Sequence, residues 1–143
     1  MKIFEYKKIF FILFLGYVFY LFYLVFFSDY YGRGSNQTSY NLILFNTIIE
    51  YLSFKHSIKN IMVNIGGNIL AFVPFGFFLP LVFKKANSYM KVLIGSFTLT
   101  CFIEMMQYIF DVGTCDIDDV LLNVMGGLLG YIFIDQLWIT KRR

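Results

Sequence analysis

Residues 60–83 read NIMVNIGGNILAFVPFGFFLPLVF and carry no charged side chain. About 20 apolar residues cross a bilayer as a helix, so this run is long enough to span one. Three more runs of the same kind flank it. Ile9–Ser28 is free of charge, Val92–Phe110 is interrupted by Glu104, and Val120–Thr140 carries Asp135 near its end. Lipid offers the backbone no hydrogen bonds, so all four are expected to be helices. Composition agrees: 59% of the 143 residues are hydrophobic and 15% charged, against roughly 45–50% and 25% in soluble domains. A soluble enzyme, a disordered chain and a nucleic-acid binder working through a basic face are excluded. The fold class expected is all-α, a polytopic membrane protein of one domain over residues 1–143, with spans at about 9–28, 60–83, 92–110 and 120–140.

The basic residues orient it. Lys2, Lys7 and Lys8 precede the first span, Lys84, Lys85 and Lys91 separate the second and third, and Lys141, Arg142 and Arg143 close the chain. The positive-inside rule then puts both termini in the cytoplasm. Asp29, Glu50, Asp111, Asp116, Asp118 and Asp119 fall in or beside the outward loops. The first span follows basic residues like a signal peptide, but its apolar run is too long and no small-residue cleavage site follows, so it reads as an anchor. In the first outer loop, Leu42, Phe45, Ile49 and Leu52 recur at helical spacing after Ser39, a residue suited to an N-cap. This predicts a short interfacial helix. Cys101 and Cys115 lie too far apart along a helix to pair and read as free thiols.

Polar residues inside the spans form stripes. His56, Asn60, Asn64 and Asn68 recur every four residues; Ser96, Thr100, Glu104, Gln107 and Asp111 share one face; so do Asp116, Asp119 and Asn123. At about 1.5 Å per residue, Asn64 and Asn123 lie roughly 6 Å below the outer boundary and Glu104 roughly 9 Å below it. The three stripes therefore meet at one outer level. Ionisable groups at such depth mark sites. A purely structural duty suits Asn60, Ser96 and Thr100, which can bond neighbouring helices. Asp111 and Asp118 read as solvated helix-boundary residues, His56 as a solvated interfacial residue, and Asp119 equally as a partner of the helix dipole. Gly126-x-x-x-Gly130 has close-packing spacing, the GGN at 66–68 offers a second small face, and Pro74 is expected to bend its helix.

NIGGNILAFVPFGFFLP, IEMMQ and DIDDVLLNVMGGLLGY, in this order, resemble the VanZ-like family, as does NLILFNTI in the outer loop, with Leu44 where proline is usual. The resemblance covers about residues 40–134. It implies a small bacterial integral membrane protein, linked through the family's namesake to resistance against teicoplanin and related lipid-bearing glycopeptides. By position it assigns Asn64, Asn68, Glu104, Gln107, Asp116, Asp119 and Asn123 as polar motif residues. The basic residue that often precedes the acidic motif is replaced by Thr114 and Cys115, which would leave its duty to Arg33, Lys55 or Lys59.

Two functions follow. In the first, these seven residues bind the head group of a membrane lipid, a lipid-linked cell-wall precursor or a lipoglycopeptide, and apolar faces hold its acyl chains. In the second, the protein is a membrane enzyme acting on a lipid-linked substrate, with Glu104 as general base, Asp116 and Asp119 able to hold a divalent cation through oxygen ligands, and Asn64, Asn68, Gln107 and Asn123 orienting the substrate. A small transporter would need several copies of the chain, and a homo-oligomer is left open. No resident metal or other cofactor is expected, and no nucleic-acid partner.

Overall fold

A computed structural model describes residues 2–27 and 39–142. The chain is dominated by four long helical spans, Lys7–Phe27, Ile58–Val82, Tyr89–Phe110 and Ile117–Leu137. Each begins two or three residues before its expected start. The first belongs to α1 (Lys2–Phe27). In the loop between the first and second spans lie a strand β1 (Ser39–Asn41) and a helix α2 (Asn46–Glu50) that widens into a π-turn over Tyr51–Lys55. The second span is composite: α3 (Ile58–Ile61), a π-turn over Met62–Gly66, then α4 (Gly67–Val82). α5 (Tyr89–Phe110), β2 (Thr114–Asp116) and α6 (Ile117–Arg142) complete the fold.

The boundaries have local causes. Ser57 Oγ accepts from Asn60 N–H and caps α3, and Ser88 Oγ accepts from Lys91 N–H and caps α5. α5 stops at Asp111, which takes a left-handed conformation at φ 52°. α4 runs on as one helix through both Pro74 and Pro80.

α4 and α6 form the central pair, and glycine sets their distance. A Cβ on Gly126 would strike the Ile69 carbonyl, one on Gly130 the Val73 carbonyl, and one on Gly76 the Gly127 carbonyl. The Gly-x-x-x-Gly face thus packs as its spacing predicts, with its partner surface on α4 from Ile69 to Phe77. The glycine facing α6 is Gly76; Gly66 has open space around it. α5 leans on the same seam, where Ser96 meets Gly127.

α1 is attached by side chains. Phe14 and Leu21 pack with Phe72, Phe75, Val82 and Ile103, and Tyr17 donates its hydroxyl to the Ala71 carbonyl at 2.7 Å. At the lysine-rich end, Tyr131 crosses Tyr89 edge to face at 4.7 Å and bonds Asn87. Tyr89 in turn bonds Asp135. Phe19, Leu70, Ile94 and Phe133 are turned outward, as a surface bathed in lipid requires.

Two expectations for the outer loop are corrected. Ser39 is no N-cap: Ser39–Asn41 pairs in parallel with Thr114–Asp116, joining the first and third interhelical loops, and the helix begins at Asn46. Strand pairing won because β2 offers a backbone edge next to α6, which no period in the loop sequence announces. Asp118 is not solvated but wholly buried, for the reason given below. Cys101 and Cys115 are both free thiols.

Candidate functional site

The start of α6 organises the end of the bundle opposite the lysine-rich one. Asp116 Oδ1 accepts the Asp118 N–H at 2.8 Å, the side-chain-to-backbone bond that begins a helix. The same carboxylate accepts Asn41 Nδ2 at 3.0 Å and the Thr47 hydroxyl at 2.5 Å. Its own N–H donates to Glu104 Oε2 at 2.9 Å. One residue thereby ties α5, α6 and the first interhelical loop together.

Asp118 completes the tie. α2 has no side-chain cap of its own, and Phe45 before it is left-handed at φ 66°. Asp118 reaches from α6 to accept the N–H groups of Phe45 at 2.6 Å, Thr47 at 2.9 Å and Ile48 at 3.1 Å. A carboxylate at a helix start satisfies orphan donors and the dipole together. Here it does so for a helix some seventy positions away in the chain. This cap removes Asp118 from water.

The seven residues expected at the site divide into three groups. Glu104, Asp116 and Asn123 are buried. Asn123 lies one turn deeper than Asp119, where its Nδ2 donates to Thr100 Oγ1 at 2.8 Å. Its Oδ1 and Ser96 Oγ are buried without a partner among the described residues. Asn68 and Asp119 are half-buried and bonded to each other at 2.5 Å, joining α4 to α6. Asn64 and Gln107 do not join these bonds. Asn64 turns back to the Asn60 carbonyl of its own helix, and the Gln107 side chain lies against Gly113 at the end of α5.

Sequence pattern does not single out Asn41 or Thr47, which join this network, and it reads Asp118 as solvated. Burial and the negative charges of Glu50, Asp119 and Asp116 push the Tyr51 hydroxyl above its ordinary pKa. His56 lies against that ring at 4.6 Å and meets Glu50 at 3.4 Å; it is a packed, half-exposed residue rather than a freely solvated one. Burial, Glu104 and Asp116 likewise push the Cys115 thiol up.

The electrostatics are one-sided. Glu104, Asp116, Asp118 and Asp119 converge, and the donors that meet them among the described residues are amide and hydroxyl groups, not lysine or arginine. Lys59 is exposed on α3; Arg33 and the Lys55 side chain lie outside the described residues. Among the described residues no three His, Cys, Asp or Glu side chains are grouped as a cation would require. Beside the cluster, Leu42, Ile43, Leu44, Phe45, Ile49 and Leu52 expose an apolar row.

Comparison with known proteins agrees with the motifs. The VanZ/LLP1 family profile matches residues 14–139. Protein VanZ of Enterococcus faecium is 41% identical over 66 residues, 44% of this chain and 38% of that protein. The aligned stretch therefore spans well under half of the relative's length. No solved structure matches. With four spans and a profile match over most of its length, the chain is a multi-pass membrane protein that belongs to the VanZ/LLP1 family.

Proposed function

We propose that this chain acts in the bacterial cytoplasmic membrane, with both termini inside, as an envelope protein that binds the head group of a lipid-bearing ligand at its outer end. The observation that carries this reading is the half-open Asn68–Asp119 pair, with the exposed apolar row from Leu42 to Leu52 in the loop that the neighbouring Asp116 and Asp118 hold. Among the described residues no lysine or arginine meets these carboxylates, which leaves them to hydrogen-bond donors. The ligand that suits them offers hydroxyl, amide or ammonium groups at its head and an acyl chain for the apolar row. A lipoglycopeptide such as teicoplanin and a sugar-bearing lipid-linked wall precursor both have that form.

Roles divide accordingly. Asp119 and Asn68 touch the head group. Asp116, Asp118 and Glu104 hold the outer loop over it, because their oxygens are already engaged with backbone and loop donors. Thr100 and Asn123 brace α5 against α6 beneath it.

Teicoplanin susceptibility in a sensitive Gram-positive host tests this, with wild type and Asp119→Asn at matched membrane levels. Protection by the wild type that Asp119→Asn loses supports the reading. Equal protection by both would make the half-open pair structural, and no protection by the wild type would remove lipoglycopeptides as the ligand.

A further inference from the structure

A second site lies at the opposite, lysine-rich end. The start of α1 and the end of α4 enclose a groove of about 440 Å³, lined by Lys7, Lys8, Phe11, Ile12, Val82 and Phe83. Val82 is buried and forms its floor, while Phe11, Ile12 and Phe83 are exposed along its walls. An edge-to-face contact between Phe14 and Phe83 at 6.2 Å fixes the α4 wall against α1. Lys7 and Lys8 bring two ammonium groups to this lining, and among the described residues neither has an acidic partner. Lys84 and Lys85 follow directly on Phe83 and add to the local positive field.

The arrangement is graded along the span. Lys7 is the first residue of the first span, so the two charges sit at head-group level and the apolar walls run inward from them. Lysines at this depth keep their heads in the polar layer while their stems follow apolar surface. A soluble anion would satisfy the charges but leave Phe11, Ile12 and Phe83 bare. A zwitterionic lipid would cover the walls but set its own cation against the lysines. We infer that this groove binds an anionic phospholipid, its phosphodiester between Lys7 and Lys8 and an acyl chain along Phe11 and Ile12. Basic pockets between spans take such head groups, with each lysine near the surface strengthening the hold about fivefold. This site shares no residue with the outer cluster, and the two readings stand or fall separately.

The test uses the full chain purified in mild detergent and titrated with phosphatidylglycerol or phosphatidylcholine, with retained lipid counted by native mass spectrometry. The wild type is expected to retain phosphatidylglycerol in preference to phosphatidylcholine. Lys7→Gln with Lys8→Gln should weaken that retention roughly 30-fold, the product of two such lysines. Ile12→Trp, which keeps both charges but fills the groove, should weaken it as well. Lys141→Gln with Arg142→Gln removes equal charge elsewhere and should leave it unchanged. Lipid-free thermal unfolding of each variant checks that the fold survives. Equal retention of both lipids, or equal loss in the 141/142 variant, would overturn the site. Competition by millimolar inorganic phosphate would show a free-anion site instead and overturn the lipid assignment.

Discussion

The α4–α6 seam and the outer cap both hold α6 in place, and they do so by opposite means. Along the seam, Gly76, Gly126 and Gly130 bring backbone against backbone, and nothing there is able to move aside. At the cap, Asp116 and Asp118 reach out with side chains to a loop far away in sequence. Close packing in lipid draws on dispersion and complementary shape, because burial from lipid carries no hydrophobic gain. The cap instead relies on charge-assisted hydrogen bonds, which strengthen as water is excluded. The seam is therefore sensitive to volume and the cap to chemistry.

Substitutions that separate these two sensitivities differ in size. Gly130→Leu should have the largest effect. Its side chain meets the Val73 carbonyl and the Phe77 amide, so α4 and α6 must part, at a cost above the usual 1–3 kcal/mol of overpacking, roughly speaking. The expected result is loss of the monodisperse folded peak in detergent. Gly16→Leu, with open space around it, should keep that peak.

Asp118→Ala comes next. It strips the acceptor from three backbone N–H groups, where charge-assisted bonds are worth about 1.5–3 kcal/mol each, though not additively. The spans should stay folded while protease cleavage within residues 42–50 quickens roughly 10–100-fold, because only the cap opens. Cleavage at the wild-type rate would show that the loop is held by something else.

Thr100→Val is smaller. It leaves Asn123 Nδ2 without its partner, a loss of about 0.6–2 kcal/mol for a bond between membrane helices. The expected sign is a modest fall in thermal stability with no change at the cap.

The subtlest effect is on Cys115, read in a Cys101→Ala background. Its thiol is pushed above the ordinary range by burial and by Glu104 and Asp116. Only the thiolate reacts, so alkylation at pH 8 should be slower than for a free cysteine and should keep rising at higher pH. Glu104→Gln removes a negative charge, favours the thiolate and should speed the reaction. A rate that ignores this substitution would place Glu104 away from the β2 strand.

The seam was more legible in the sequence than the cap. Charge-free runs announce spans because lipid penalises every exception, and Gly126 and Gly130 stand at a spacing with one physical use. Asp118 and Thr47 carry no such signature. Their partnership spans the fold, and an aspartate at a helix start reads the same whether it caps its own helix or another. Helical periodicity placed Glu104, Asp119 and Asn123 on inward faces, and the geometry brings Asn68 to Asp119 and Asp116 to Glu104. It also placed Asn64 on the right stripe, yet that side chain returns to its own backbone. Gln107 was placed likewise, but it sits where α5 ends and packs beside Gly113. Periodicity gives a face; Asn64 leaves it within the π-turn over Met62–Gly66 and Gln107 in the last turn of α5.

The claim at the centre is that the half-open Asn68–Asp119 pair receives a donor-rich head group. Its most direct test is equilibrium binding of fluorescent teicoplanin to the full chain in phosphatidylcholine nanodiscs. The prediction is saturable binding by the wild type, weakened at least about tenfold by Asp119→Asn, the loss of one charge-assisted hydrogen bond. Lys7→Gln with Lys8→Gln at the far end should leave it unchanged. Binding that is absent, fails to saturate or is indifferent to Asp119→Asn would contradict the account.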